Sequence, residues 1–332
     1  ALPISNRALN EKLNVRANLM AQDSAVAGRD EVFDQRYGAA LAADYQVNDQ
    51  VAVLVDYYHL RTDGMPDRGI PWDTYTNQPA KVDRNNFYGI VGRDFQETSA
   101  DVFTGTVDAK LSENTSLNSK TRAGKTTNDY VVSTPSNWTA RDATAPAPLT
   151  GSSTMTNRAS TAGFTNKFIG NTTQITHEFH TGDVEHNLAA GFEISQEKVT
   201  NQGYVLNTYD ANTNPNGVPA PNLNVLNPDN HATAPGIKGR SESTSKVKAD
   251  VQSFYVMDTA KLTKKWEVFG GLRHDTFKIK RQAREGTYDR NSDSQDNTSF
   301  VNGHAGIVYK PAENGSIYAS ISTSSNLPGE MF

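Results

Sequence analysis

Residues 98–131 read TSADVFTGTVDAKLSENTSLNSKTRAGKTTNDYV, and this stretch decides the fold of the chain. Its first part sets four apolar side chains against four polar ones at alternate positions: Phe103, Val107, Ala109 and Leu111 against Thr104, Thr106, Asp108 and Lys110. Alternation at period two is typical of a β-strand with one apolar and one polar face. The tight turn Ser112–Thr115 leads into a returning strand, so the stretch predicts an antiparallel hairpin.

The same pattern recurs along the chain and predicts about eleven strands, with a possible remnant of another at Ala1–Leu9. The predicted strands are Leu13–Gln22, Arg36–Tyr45, Val51–Arg61, Thr98–Leu111, Ser116–Val131, Asn166–His180, His186–Val199, Val247–Leu262, Trp266–Lys280, Ser299–Lys310 and Ser316–Ser325. The pattern therefore indicates an all-β, antiparallel chain.

The connections between these strands alternate strictly between two lengths. The short ones centre near residues 48, 113, 183, 264 and 313, and the long ones near 29, 80, 149, 223 and 290. A barrel in an outer membrane has short periplasmic turns and long outer loops. Compact domains rarely contain loops longer than about 15 residues. The strict alternation of short and long connections therefore favours a transmembrane β-barrel over a soluble β-sandwich.

The composition excludes several other classes. The chain has 332 residues, a formal net charge of −5, 36% hydrophobic residues and no cysteine. No run approaches the roughly 18 apolar residues of a membrane helix. The lack of cysteine excludes a disulfide framework in this sequence, and the mildly acidic charge gives no support for a nucleic-acid partner. No nucleophile elbow, P-loop, dinucleotide fingerprint or zinc spacing is present, so we expect no enzyme.

The two faces of each predicted strand would have different surroundings in a membrane-spanning barrel. Spanning strands must pair every backbone group, so the apolar face meets lipid and the polar face lines the bore. Aromatic residues near strand ends fit interfacial girdles; they are Tyr37, Tyr45, Tyr57, Trp266 and Tyr309. The same alternation would also suit the core of a sandwich. A passive porin or sugar channel and a soluble sandwich adhesin or lectin therefore remain open at this point.

Five stretches resemble the TonB-dependent siderophore receptors, especially the catecholate type. They are LMAQDSAVAGRD (19–30), YYHLRTDGMPDRGIPW (57–72), NFYGIVGRDFQ (86–96), GGLRHDTF (270–277) and IVYKPAENGSIYASISTSSNLPGE (307–330). The second and last are specific, whereas the GLR-x-D-x-F pattern recurs across outer-membrane barrels. The chain departs from the usual family pattern at Leu327, where proline is common, and at His274, where tyrosine is common.

The resemblance implies a 22-stranded barrel with an internal plug in the bacterial outer membrane. It also implies that residues 1–332 are a partial barrel domain, roughly the first half, without the N-terminal plug and the C-terminal strands. The implied function is uptake of ferric siderophore through the TonB complex. The implied partners are the ferric siderophore, the TonB complex, outer-membrane lipid or lipopolysaccharide, and a phage or bacteriocin that exploits the loops.

A ferric catecholate is anionic, has planar rings and already saturates its iron. The protein therefore needs cations and aromatic faces, with no cofactor and no metal ligand of its own. The loop Thr62–Gln96 has the densest mixture of both types, and its candidate contacts are Arg68, Trp72, Tyr75, Arg84, Phe87, Tyr88 and Arg93. The alternative is a packed loop whose aromatics are buried and whose arginines pair with Asp67, Asp73, Asp83 and Asp94.

Charged residues on the polar face form a second candidate set. They are expected to face plug or water, where they hold the plug or line a path: Arg16, Asp108, Lys110, Arg122, Glu193, Arg273 and Asp275. The structural role, in which they pair with plug residues, is the interpretation we favour.

Overall fold

The computed structural model describes residues 4–73, 77–138, 149–282 and 294–325. These residues form strands and turns, and they contain no helix long and apolar enough to cross a membrane. The strands are β1 (Ile4–Ala8), β2 (Leu13–Val26), β3 (Arg29–Asn48), β4 (Val51–Gly64), β5 (Trp72–Asp73), β6 (Gln78–Pro79), β7 (Phe95–Lys110), β8 (Thr115–Trp138), β9 (Thr154–Thr181), β10 (Val184–Asn201), β11 (Tyr204–Leu206), β12 (Asn222–Asn224), β13 (Ile237–Arg240), β14 (Ser245–Lys261), β15 (Trp266–Gln282), β16 (Ser294–Ala312) and β17 (Gly315–Ser322).

One antiparallel sheet of 13 strands dominates the molecule. Its long strands follow chain order as a meander, β1-β2-β3-β4-β7-β8-β9-β10-β14-β15-β16-β17, and β12 pairs with the outer part of β9. Two small ribbons, β5–β6 and β11–β13, lie in the long connections. β1 and β17 end the sheet among the described residues, so it is an arc of barrel wall that is not closed.

The register of the strands defines two faces, because directly opposed residues in an antiparallel pair project to the same side. One row joins Tyr45, Val53 and Val107, and we call its side the apolar face. The opposite side, the polar face, joins Asp108 to Asn118. Large side chains of the apolar face are exposed and are not covered by a second sheet in the described ranges. The sandwich alternative is therefore wrong.

The apolar face also carries the five aromatic residues predicted for interfacial girdles. Tyr57 of β4 lies directly opposite Leu41 of β3, and Tyr37 and Tyr45 are on β3, with Tyr45 close to the short turn. Trp266 stacks on Tyr309 with ring centroids 4.4 Å apart, at the start of β15. The pairing register thus confirms that apolar and polar side chains lie on opposite faces of the sheet, as the sequence predicts.

The short connections are confirmed as turns between β3–β4, β7–β8, β9–β10, β14–β15 and β16–β17. The long connection predicted near residue 29 is wrong. β2 and β3 continue to a turn at Ala27–Gly28, where Gly28 takes the left-handed conformation with φ 75°. The charged segment Asp23–Gln35 looks like a loop by composition, but cross-strand backbone pairing keeps it extended.

Candidate functional site

The loops at the end opposite the short turns pack into a small hydrophobic core. Tyr88 of the connection 65–94 contacts Met155 at the start of β9 and Val225 just after β12. Each of the three is at most 2% exposed. The Tyr88 hydroxyl donates a hydrogen bond of 2.8 Å to the Val225 carbonyl, and Asn157 bonds to the Tyr88 carbonyl. Three segments far apart in sequence are thereby fixed to one another.

The buried carboxylate of Asp94 also holds the connection 65–94 in place. The Asp94 side chain accepts hydrogen bonds from the backbone N–H groups of Ile90, at 3.1 Å, and Ser133, at 2.9 Å. It also pairs with Arg93 Nε at 2.9 Å, and the two side chains are 0% and 6% exposed respectively. The Arg93 guanidinium also donates to the Ser133 hydroxyl. Asp94 therefore joins the loop to the β8 wall.

Arg29, in the β2–β3 hairpin, binds the connection from its other side. Its guanidinium donates to the carbonyls of Asn86 and Arg84, both at 2.9 Å, and pairs with Asp67 at 2.5 Å. The backbone N–H of Val91 donates to the Asn230 carbonyl at 2.9 Å. The connection 65–94 is accordingly held from the hairpin, from the wall and from the connection 202–244.

This packing corrects part of the predicted ligand set. Phe87, Tyr88 and Arg93 are 5%, 2% and 8% exposed, so they stabilise the loop and are unable to contact a ligand while the loop stays packed. Arg68 and Arg84 are exposed, and Trp72 in β5 is 53% exposed. Tyr75 lies outside the described residues. The packed-loop interpretation thus holds for the three buried residues, with Arg93 paired to Asp94.

The connection 202–244 is anchored by a cation. Arg240 of β13 donates a hydrogen bond to Asp129 Oδ1 of β8 at 2.6 Å, and its guanidinium lies 4.1 Å from the ring centroid of Tyr204. The hydrogen bond to Asp129 raises the pKa of Arg240. Burial raises the pKa of Tyr204 above its ordinary value. The Arg240–Asp129 pair therefore holds the connection 202–244 against β8.

All seven charged residues predicted for the polar face lie on that face by register. Three of them form one network, in which Arg273 donates to Glu193 Oε2 at 3.0 Å and to Asp275 Oδ1 at 2.8 Å. Ser253 adds a 2.6 Å hydrogen bond to Asp275, which is 7% exposed. These three charged side chains are therefore paired with one another within the wall, with one cation shared by two carboxylates. Pairing of the other four with a plug stays a prediction.

The other four lie outside this network. Asp108 accepts a 2.6 Å hydrogen bond from Asn118, and the Arg122 guanidinium lies 5.8 Å from the ring centroid of Phe168. Arg16 and Lys110 are exposed side chains. In the described ranges, no three His, Asp or Glu side chains come close enough to hold a metal ion.

Sequence reasoning missed the residues that anchor the loops. Nothing near Arg29 in the sequence points to its role, since the two carbonyls that it binds, those of Arg84 and Asn86, lie more than 50 positions away. Met155 and Asn157 lie in a Thr- and Ser-rich stretch with no visible period. A signal that could have pointed to Asn157 is that it follows Met155, an isolated apolar residue in an otherwise polar segment, by two positions.

Tyr88 provides a pH test of the loop core. Burial raises its pKa, so the packed loop keeps the phenol proton at a pH where the opened loop releases it. The stabilisation of the packed loop by the protonated Tyr88 phenol is complete below the ordinary tyrosine pKa of about 10 and is lost as the pH rises further. We expect proteolysis within residues 65–94 to accelerate above about pH 10. Tyr88→Phe should remove this pH dependence and cost about 1 kcal/mol by leaving the Val225 carbonyl unpaired.

The sequence profile described as "TonB dependent receptor-like, beta-barrel" matches residues 41–331. The chain belongs to this family. The chain is 27% identical over 354 residues to the catecholate siderophore receptor Fiu of Escherichia coli O6:H1 strain CFT073, covering 98% of this chain and 45% of the relative. It is 27% identical over 336 residues to the probable TonB-dependent siderophore receptor PiuA of Acinetobacter baumannii, covering 98% and 44%. The chain thus spans less than half the length of these curated relatives.

The solved structures give the same assignment. The open form of the ferric-catecholate import receptor Fiu from E. coli K12 superposes with a TM-score of 0.83 and 25% identity, covering 98% of this chain and 52% of the Fiu chain. The siderophore receptor PiuA from A. baumannii superposes with a TM-score of 0.80 at 24% identity, covering 95% and 46%, and that likeness shows the fold alone. The strands described above form part of the same kind of barrel as in these structures, and the named relatives are transport receptors.

Proposed function

We propose that the protein containing this chain binds ferric siderophores, of the catechol-containing class, and imports them across the bacterial outer membrane in a TonB-dependent manner. The observation that carries the proposal is the family membership together with relatives named as catecholate siderophore receptors. The apolar face then contacts hydrocarbon, and the polar face borders a plug. The plug and the TonB contact lie in parts of the protein beyond this chain.

The packed loop end supplies the chemistry for capture. Arg68, Trp72 and Arg84 extend from a connection that buried contacts hold rigid. Guanidinium groups pair with the anionic charge of the complex, and an exposed indole stacks on a catechol ring or on a cation. The siderophore retains its own ligands to the iron, so the protein needs no cofactor and no ligating residue. A rigid platform lowers the entropy lost when the complex docks.

The direct test is binding of a ferric catecholate to the full-length protein in detergent, followed by quenching of tryptophan fluorescence. We expect saturable quenching by the ferric complex of a dihydroxybenzoate siderophore. A ferric hydroxamate complex of opposite or neutral charge should quench far less. Absence of saturable quenching with any ferric siderophore would contradict the proposal.

Variants of the loop locate the contact. Arg68→Ala and Trp72→Ala should each weaken ferric-catecholate affinity by about tenfold, the equivalent of about 1.4 kcal/mol, because each removes one charge or one ring. Calorimetric titration avoids the loss of the tryptophan signal. Lys264→Ala, which removes a cation at a short turn, is the matched control and should change the affinity less than twofold. Equal losses in all three variants would place the binding site elsewhere.

A further inference from the structure

The two exposed arginines of the connection 65–94, Arg68 and Arg84, each lie in a tight turn. Around Arg68, the backbone N–H of Gly69 donates a hydrogen bond of 2.7 Å to the side chain of Asp67. Around Arg84, the Asp83 carbonyl accepts a hydrogen bond of 3.1 Å from the backbone N–H three positions later. Each turn thus fixes the backbone from which one guanidinium group extends.

Two hydrophobic clusters place these turns next to each other. Met65 and Phe87 belong to one buried cluster, whereas Ile70 and Val82 both pack against the cluster that contains Tyr88. The first turn therefore runs from one cluster to the other, and the second turn runs back. Because both turns span the same two clusters, they are neighbours in space although a long stretch of sequence separates them.

Arg29, at the end of the β2–β3 hairpin, connects the two turns. Its guanidinium pairs with Asp67 of the first turn at 2.5 Å and donates a hydrogen bond of 2.9 Å to the carbonyl of Arg84 in the second. The preceding Gly28 is in close contact with the second turn, since an added Cβ would lie 2.5 Å from Asn85 Oδ1. The side chain of Arg29 is 14% exposed, so it serves the two turns and offers little surface to a ligand.

The charges around Arg29 are unequal. Asp67 pairs with Arg29 and not with its sequence neighbour Arg68. Within the described ranges, neither Arg68 nor Arg84 takes part in an ion pair, and Asp83 is the second carboxylate of the two turns. Three guanidinium groups therefore face two carboxylates. Two unpaired cations on adjacent turns repel each other unless an anion lies between them, so the arrangement suits one ligand with several negative charges.

We propose that Arg29 is a positioning residue that holds Arg68 and Arg84 as one clamp for a multiply charged anion, here the trianionic ferric tris-catecholate. The planar fork of a guanidinium reaches acceptors on both turns at once, which a lysine ammonium does not match. Two arginines held in place lose less entropy on binding than two mobile ones. The proposal rests on the proposed function and adds the residue that makes two of its contacts act together.

A double-mutant cycle on the full-length protein measures this joint action, with calorimetric titration of a ferric tris-catecholate. Arg68→Ala and Arg84→Ala should each weaken binding about tenfold, and together about thirtyfold, because either loss already breaks the clamp. Independent contacts would instead give about a hundredfold loss in the double variant.

Arg29→Lys keeps a charge beside Asp67 and removes the fork. It should itself weaken binding about tenfold, and in its background the effects of Arg68→Ala and Arg84→Ala should become smaller and should multiply. The matched control is Arg36→Lys, since Arg36 of β3 is exposed and pairs with Asp34 two positions away. The control should leave the affinity and the coupling within twofold. Coupling that persists in Arg29→Lys, or that is absent from the unmodified protein, would overturn the proposal.

A measurement without ligand tests the positioning itself. Spin labels on the Arg68→Cys, Arg84→Cys protein should give one narrow distribution of distances by electron paramagnetic resonance. The distribution should broaden with Arg29→Lys and stay narrow with Arg36→Lys; equal widths in both would overturn the role of Arg29. If Arg29→Lys fails to fold, Asp67→Asn makes the same comparison, because it removes the ion pair and keeps an acceptor for the Gly69 N–H.

Hydrogen exchange separates positioning from loop stability. Exchange in residues 86–94 should be unchanged in Arg29→Lys, because Tyr88 and Asp94 hold that segment through other partners. Exchange accelerated there as strongly as the affinity falls would overturn the proposal in favour of a stabilising role alone. Absence of ferric-catecholate binding to the unmodified protein would contradict the proposed function and the ligand assigned here, whereas normal binding without coupling would overturn the clamp alone.

Discussion

Asp94→Ala is expected to destabilise the packed loop by about 3–5 kcal/mol, because it leaves the Arg93 cation buried without its partner. Arg93 is 6% exposed in the ion pair, so water gives it little compensation. The substitution also removes the acceptor for the backbone N–H groups of Ile90 and Ser133. The connection 65–94 should therefore open while the barrel wall stays folded.

Hydrogen exchange on the full-length protein measures this effect peptide by peptide. Exchange in residues 65–94 should accelerate by several hundredfold, whereas β14 and β15 stay protected. Asp83→Ala is the matched control in the same loop, since Asp83 is exposed and accepts a single local hydrogen bond from Asn85 at 2.9 Å. Ferric-catecholate affinity should fall with Asp94→Ala alone. Unchanged exchange in the Asp94 variant would show that the loop core does not depend on this carboxylate.

Leu19→Arg is expected to destabilise the barrel by roughly 2–4 kcal/mol, because it places a cation against hydrocarbon near the bilayer midplane. Leu19 is 51% exposed on the apolar face, opposite Ala39. Its neighbour Asn18 points to the polar face and donates a 3.3 Å hydrogen bond to the Ala40 carbonyl. Asn18→Arg therefore puts the same charge on the other side of the same strand and should cost much less.

Equilibrium unfolding of the full-length protein from lipid vesicles measures both variants. The difference between them is the informative quantity, because both add the same side chain at adjacent positions of β2. Similar costs for the two variants would mean that the apolar face does not contact lipid.

The wall was predictable because its chemistry repeats at short range. Most of the long strands of the sheet carry their own alternation of apolar and polar residues, so residues 98–131 alone show the period of two and the turn. The outer ends of β8 and β9 were not predictable. β8 ends at Trp138 and β9 begins at Thr154, both in Thr- and Ser-rich sequence. Pairing between the two strands keeps this part of the backbone extended, and no contact with lipid imposes an alternating pattern of apolar residues there.

The candidate site was predictable in composition and unpredictable in its exposure. Arginine and aromatic residues suit an anionic ligand and also suit a buried loop core, and local sequence does not distinguish the two. Tyr88 is buried because Val225 lies against it, 137 positions later.

The central claim is that alternate side chains of the wall face hydrocarbon, and lipid quenching tests it most directly. This part of the protein has no cysteine, so single cysteines at positions 254, 255, 256 and 257 of β14 can carry a fluorophore in the full-length protein. Lipids brominated at mid-chain should quench the labels at Phe254 and Val256 strongly and those at Tyr255 and Met257 weakly. Equal quenching at all four positions, or stronger quenching at Tyr255 and Met257, would contradict the account.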